Sequence, residues 1–351
     1  MNFLKFINKY RRRLTQRITK NLESSSLSNS YDPENLPEIK KILVCRPNHR
    51  LGNLILITPI MQEIRATFPY AKIDLFVKGG LAPIVFQNYI NIDTFIELPK
   101  KPFKQLFKYI RTWFLIRKKK YDLVFNVTST SSSGRLATKF SKSTFKIFGD
   151  ENDDLESENI AFHHIAKNPV YNLRECIKFL GYDRIENEIP DLDLKLDEQE
   201  IQDAKKILYD LVSNQKETIC LFTFATGNKC YSEPWWTSLY ESLKSEYKNY
   251  NIVEVLPVEN ISQIGFKAPS FYSKDIREIC AFIANTKVFI GADSGIMHLA
   301  SASLTPTIGL FIVNKSIKKY HPYNNDSMAF NTNEKPISDC FKTLNKILLN
   351  T

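Results

Sequence analysis

Nowhere in these 351 residues does an apolar run approach the roughly 18 uninterrupted positions that a membrane-spanning helix needs. The opening residues also lack the apolar core and small-residue cleavage site of a secretory signal. Cysteine is sparse. The six (Cys45, Cys176, Cys220, Cys230, Cys280, Cys340) never fall closer than ten positions apart, which excludes a zinc ribbon and a redox CxxC. Most sit in apolar runs, so buried free thiols in a reducing compartment, the cytoplasm, are expected. No metal site is expected either. GxGxxG is missing after the first predicted strand, where "RPNHRLGN" stands instead, and that removes a nicotinamide-type dehydrogenase.

Acid is absent from residues 1–20, which carry Lys5, Lys9, Arg11, Arg12, Arg13, Arg17 and Lys20. Phe3, Ile7, Tyr10, Leu14 and Ile18 recur there at helical spacing. Such a helix can lie on an anionic inner-leaflet surface, making the protein peripheral on the membrane. A solvated basic tail is the plainer alternative. The formal net charge of +10 would also suit nucleic acid, but no recognition module accompanies it, and no nucleic-acid partner is expected.

What is present is the make-up of an ordinary globular protein, 43% hydrophobic and 25% charged, with length for about two domains. The expected division is a basic arm and Ser/Pro-rich linker at 1–39, a first domain at 40–190 and a second at 191–351. Strands are predicted at 40–45, 71–77, 92–98 and 121–127, separated by a helix within 51–69, a short helix at "LAPIVFQNY" and a basic amphipathic helix at 102–120. The rhythm fades after residue 128, in a Ser/Thr-rich loop and an acidic patch at 150–158, and resumes with "TICLFTFAT", "NIVEVLP", "KVFIGAD" and "PTIGLFI" between helices. Strands alternating with crossover helices predict an α/β chain of two Rossmann-like domains, with parallel sheets facing each other across a cleft.

Three strand-to-helix turns carry polar groups. "GADSGIMHLASAS" (291–303) sets Asp293, Ser294 and Gly295 where a buried strand becomes a helix, with His298 one turn in. The carboxyl edge of a parallel sheet is where ligands bind, and a helix amino end attracts phosphate. Asp293 and Ser294 also suit plain helix caps, and His298 a core histidine. "CRPNHRLGNLILITP" places Arg46, His49, Arg50, Gly52 and Asn53 after the first strand. "FATGNKCYSEPWW" offers Thr226, Gly227 and Lys229 before its helix, although a lone loop lysine is usually just solvated. Two helix amino ends and a lysine fit a diphosphate and its growing charge as a leaving group.

These three blocks, "RLGNLILITPIMQEIRATFP", "FATGNKCYSEPWW" and "GADSGIMHLASASLTPTIGLF", resemble glycosyltransferase family 9, the heptosyltransferases of lipopolysaccharide core assembly, over roughly residues 40 to 345. The resemblance implies a GT-B fold with an N-terminal acceptor domain and a C-terminal donor domain. It also implies an inverting, metal-independent sugar transfer, from a nucleotide-diphosphate donor such as ADP-heptose to a glycolipid, with no resident cofactor. Thr226, Gly227 and Lys229 match the donor-phosphate segment; Asp293, Ser294, Gly295 and His298 match the block holding diphosphate and sugar; Glu259 matches the acid on the nucleotide ribose. Acceptor contacts fall to Arg46, Arg50, Gly52, Arg135 and Lys139. One departure matters: Asn53 stands where the family has its catalytic aspartate. A neutral amide is a poor proton acceptor. Either Asn53 positions the acceptor while His49 or a departing diphosphate oxygen takes the proton, or the protein binds nucleotide sugar without transferring it.

Overall fold

The computed structural model describes residues 37–149, 163–182, 187–324 and 326–350. The basic arm, most of the linker and the acidic patch lie outside them. Two all-parallel sheets make up the fold. The first is ordered β3-β2-β1-β4-β5, from β1 (Lys41–Cys45), β2 (Lys72–Lys78), β3 (Ile92–Leu98), β4 (Lys120–Asn126) and β5 (Lys142–Ile147). The second is ordered β11-β10-β9-β6-β7-β8, from β6 (Thr218–Phe222), β7 (Asn251–Val255), β8 (Ser270–Phe271), β9 (Val288–Ala292), β10 (Thr307–Phe311) and β11 (Met328–Asn331). The central strands TICLF, VFIGA and TIGLF are buried at every position, as parallel strands covered on both faces must be.

One continuous apolar core runs through both halves, joining Val44 and Leu75 to Phe222 and Phe289. Separate clusters fill the outer faces of the two sheets. The segment between the halves is stitched to each. Gln62 donates to the Asp191 carbonyl at 2.8 Å and Tyr89 to that of Asp193 at 2.7 Å. From the other side, Leu194 N–H donates to Ala302 at 3.0 Å. The buried Arg277 pairs with both Glu200 oxygens at 2.5 and 2.7 Å while donating to the Leu194 and Lys195 carbonyls at 3.1 Å and to Ile84 at 3.4 Å.

The sequence misleads in three places. The Ser/Thr-rich stretch after β4 is not a loop but turns into a helix, Ser132–Phe140, whose N-cap Ser131 accepts from Gly134 N–H at 3.2 Å. Its buried residues are Gly134, Arg135, Ala137 and Thr138, which leaves no large apolar period to read. Edge strand β5 gives no apolar run: "KSTFKI" is charged or polar at four of six positions. The expected 51–69 helix is in fact two, Leu51–Ile55 and Thr58–Thr67, with Pro59 in the first turn of the second.

Candidate functional site

In each sheet the chain builds outward from a central strand, then returns to that strand's other side, and the two loops that part there leave a crevice at the carboxyl edge. In the first sheet the crevice lies between β1 and β4. Arg46, the first residue after β1, bridges it. Its backbone N–H donates to Phe76 at 2.8 Å, and its guanidinium donates to Thr128 Oγ1 at 2.8 Å, to Asn53 Oδ1 at 3.1 Å and to the Asn53 carbonyl at 3.4 Å. Burial pulls this guanidinium down to about 10, with Tyr320 acting the other way, so it remains a cation at neutral pH.

In the second sheet the crevice lies between β6 and β9. Lys229, in the short turn Gly227–Lys229 after β6, reaches across to Asp293 after β9, with Nζ 2.6 Å from Oδ2. Asp293 is buried and Lys229 half-exposed, so one end of the pair is anchored and the other faces solvent. Ser294 caps the Gly295–Ala302 helix by accepting from Met297 N–H at 3.3 Å. Both crevices therefore hold a cation, and the second adds a helix amino end.

The crevices face one another. A Cβ placed on Gly52 would stand 3.3 Å from the Gly295 Cα and 3.0 Å from His298 Cδ2, and one on Gly295 would stand 3.3 Å from the Gly52 nitrogen. Only residues without a side chain let the two helix tips meet this closely. His298 is buried, its Nδ1 finds no hydrogen-bond partner among the described residues, and burial, Lys229 and His321 together push it down to about 3. It is a neutral imidazole beside a cation. Gly227 takes the left-handed conformation, φ 67°, that lets the Lys229 turn form.

Other predicted residues take up a variety of settings. Thr226 is exposed beside Gly227. His49 and Arg50 are exposed at the edge of the first sheet; burial first, then Lys78, Lys100 and Arg50, hold His49 below its ordinary value. Glu259 is exposed on the loop after β7. Arg135 is buried with its guanidinium 5.1 Å from the Phe148 ring centre, and Lys139 is half-buried, its carbonyl accepting from Lys146 at 2.9 Å. Arg46, Gly52 and Asn53 thus meet Lys229, Asp293, Ser294, Gly295 and His298.

Two residues in this region escaped the sequence. Tyr320 sits at the junction, its ring centre 5.7 Å from Lys229 Nζ and 6.3 Å from the His298 ring, and near enough to Arg46 to act on its charge. "SIKKYHPY" gives no sign of this. Glu254 lies fully buried in β7, accepting from Thr223 Oγ1 at 2.5 Å and Ser262 Oγ at 2.6 Å, and so pins the loops after β6 and β7 together. Burial raises its carboxyl above the ordinary range. An acid inside "NIVEVLP" was the signal to follow. An open groove of about 760 Å³, lined by Tyr209, Lys216 and Lys287 among others, lies at the amino edge of the second sheet, away from these groups.

Comparison with known proteins bears on the same elements. The pattern of Glycosyltransferase family 9 (heptosyltransferase) matches residues 273–348, which include Asp293 to His298 and Tyr320. The chain is 26% identical over 316 residues to lipopolysaccharide heptosyltransferase 1 of Campylobacter coli, covering 84% of this chain and 88% of that protein. Among solved structures, a glycosyl transferase family 9 protein from Veillonella parvula superposes with a TM-score of 0.68 at 18% identity, covering 90% of this chain and 99% of its own. Escherichia coli ADP-heptose lps heptosyltransferase II does so with 0.61 at 16%, covering 88% and 99%. The chain is similar to glycosyltransferase family 9, whose pattern its residues 273–348 carry. The chain is a glycosyltransferase with the expected GT-B arrangement of two Rossmann-like halves, and the non-catalytic alternative finds no support. Among the described residues no helix is long and apolar enough to cross a membrane, and no group of histidine, cysteine and acid residues is arranged to hold a metal ion.

Proposed function

We propose that this enzyme moves a sugar, a heptose by family default, from a nucleotide-diphosphate donor to an anionic glycolipid of the lipopolysaccharide type. It does so with inversion and without a metal ion or resident cofactor, at the cytoplasmic face of the membrane. The donor occupies residues 191–351 and the acceptor residues 40–190. The observation that carries the proposal is the Lys229–Asp293 pair bridging one strand-end crevice, with Tyr320 5.7 Å from Lys229 and close enough to Arg46 of the other crevice to act on its charge. Two E. coli heptosyltransferase structures lend support: one with ADP (TM-score 0.57) and one with ADP-2-deoxy-2-fluoro heptose (TM-score 0.56). The names of the curated relatives, lipopolysaccharide heptosyltransferases 1 and 3, point to the acceptor class.

In this mechanism the diphosphate lies over the amino end of the Gly295–Ala302 helix, with Ser294, Thr226 and Gly227 around it, Glu259 on the ribose and His298 on the sugar. Asp293 holds Lys229 in place until the phosphate arrives. An acceptor hydroxyl, steered by Arg46, Arg50, Arg135 and Lys139, attacks the anomeric carbon from the face opposite the diphosphate. The carbon–oxygen bond to the diphosphate breaks, and its electron pair is received by Lys229 and the helix N–H groups, a contact type worth about 2.7–4 kcal/mol in a transition state. Arg46 donates to Asn53 Oδ1 and so fixes the amide, whose N–H groups can orient the acceptor. The hydroxyl proton passes to His49, whose lowered pKa keeps a lone pair available at neutral pH.

The test pairs calorimetry, using ADP and UDP sugars, with transfer to a truncated lipopolysaccharide and an NMR reading of the new anomeric centre. Inverted product and micromolar donor binding are expected. Binding with no transfer to any glycolipid acceptor would overturn the acceptor and proton-transfer parts; no binding would overturn the whole.

A further inference from the structure

The helix Leu106–Lys118 covers the outer face of the first sheet with Tyr109, Thr112, Trp113 and Ile116, which pack toward Phe76 and Val124. Its opposite face is anomalous. Phe107 is 92% exposed, Phe114 69% and Ile110 44%, at the i, i+3, i+7 spacing that sets them in one outward stripe. Leu106 and Phe140 extend it, the latter held close by Arg117, which donates to the Phe140 carbonyl at 3.0 Å. Lys104, Lys108, Arg111 and Lys118 border the stripe, and residues 99–120 hold nine Lys or Arg and no acid. Of these bordering cations, Lys108 leans toward Glu97 at 3.7 Å.

We infer that this helix seats the protein on an anionic phospholipid surface. Phe107, Ile110 and Phe114 enter the headgroup boundary, and the flanking cations meet phosphates. Exposed aromatic stripes rimmed by polar groups mark interaction surfaces, and an apolar stripe bordered by cations is what a basic interfacial helix presents to lipid. Charge decides between occupants. A second copy would set Lys104, Lys108, Arg111 and Lys118 against their own counterparts, and the chain's own residues 1–20, seven cations and no acid, are repelled as well. An anionic lipid headgroup layer supplies the missing sign. Placement makes the contact useful. The helix starts just after β3, at the carboxyl edge where Lys100 neighbours His49, so a seated protein holds its cleft beside the headgroups. Lipid binding itself does not rest on the transfer chemistry proposed above.

The experiment uses the full chain and two readouts. Co-sedimentation with vesicles of phosphatidylcholine containing phosphatidylglycerol compares the wild type with Phe107→Ser/Phe114→Ser, for which about tenfold or more weaker partitioning is expected. A Phe107→Trp variant on brominated-lipid vesicles reports depth at this helix alone, whatever residues 1–20 do. Quenching beyond that of wild type, which keeps its own three tryptophans, is expected. Equal partitioning by the double serine variant, no added quenching in Phe107→Trp, or no vesicle binding by wild type would overturn the inference. So would a wild-type dimer in lipid-free sedimentation that the double variant abolishes, which would assign the face to a second copy.

Discussion

Lowering the pH from 7 to 5.5 should cost the fold about as much as losing a large core side chain, and histidine rather than carboxylate is the cause. His164 is locked neutral by geometry. Its Nδ1 accepts from Ala166 N–H at 3.2 Å, so Nε2 must carry the hydrogen that meets the His321 carbonyl at 2.9 Å. Burial and His321 push it down to about 2, and burial with Lys229 pushes His298 to about 3, against an ordinary 6.5. Below pH 6.5 the unfolded chain takes up protons at these positions and the native protein does not, so stability falls as pH falls. Between pH 7 and 5.5 each site then removes about 1.3 kcal/mol, roughly 2.5 kcal/mol for the pair. His321 and the exposed His49, both held below their ordinary value, add in the same direction. The raised carboxyls of Glu254 and Asp191 act oppositely, but chiefly nearer the carboxylate range. Because one apolar core joins both halves, urea unfolding should be a single transition, and its midpoint at pH 7, 6.5, 6 and 5.5 reads the effect. Replacing His164 with Gln should flatten the pH dependence by about half of the paired value. A midpoint that does not move between pH 7 and 5.5, or an unaltered slope in His164→Gln, would refute the assignment.

Lys229→Ala should lower kcat/KM for the nucleotide sugar by roughly 10- to 150-fold, the worth of a charge-assisted contact. Its urea midpoint should hardly change, since the lysine is half-exposed; steady-state kinetics beside unfolding separates the two effects. Gly52→Val should destabilise by about 1–3 kcal/mol through overpacking against His298 and Gly295, and should weaken donor binding measured by calorimetry. Arg277→Met should cost about 3–5 kcal/mol in urea unfolding, because Glu200 loses its partner and the Leu194 and Lys195 carbonyls lose a donor.

Legibility in the sequence followed burial. Buried parallel strands are plain apolar runs, so β1, β4, β9 and β10 fall within a residue or two of their predicted positions, while β6 starts where "TICLFTFAT" does and ends four residues before it. The polar turns at their carboxyl ends could be placed on one edge by topology alone, which is why Lys229, Asp293 and Gly52 were nameable. Where a helix buries Gly134, Arg135, Ala137 and Thr138 and no large apolar residue, or a strand lies at the sheet edge as β5 does, no periodicity survives. Tyr320 was invisible for another reason. It reaches the junction through the packing of a late helix across both halves, and nothing local records that approach.

The meeting of Gly52 with Gly295 makes the separation of the two sheets a matter of two absent methyl groups. A single carbon atom added to either would stand 3.0–3.3 Å from the facing helix, so the two tips would have to give way by a few tenths of an ångström. The width of the gap in which a sugar must change hands is thus gauged by two residues that carry no side chain at all.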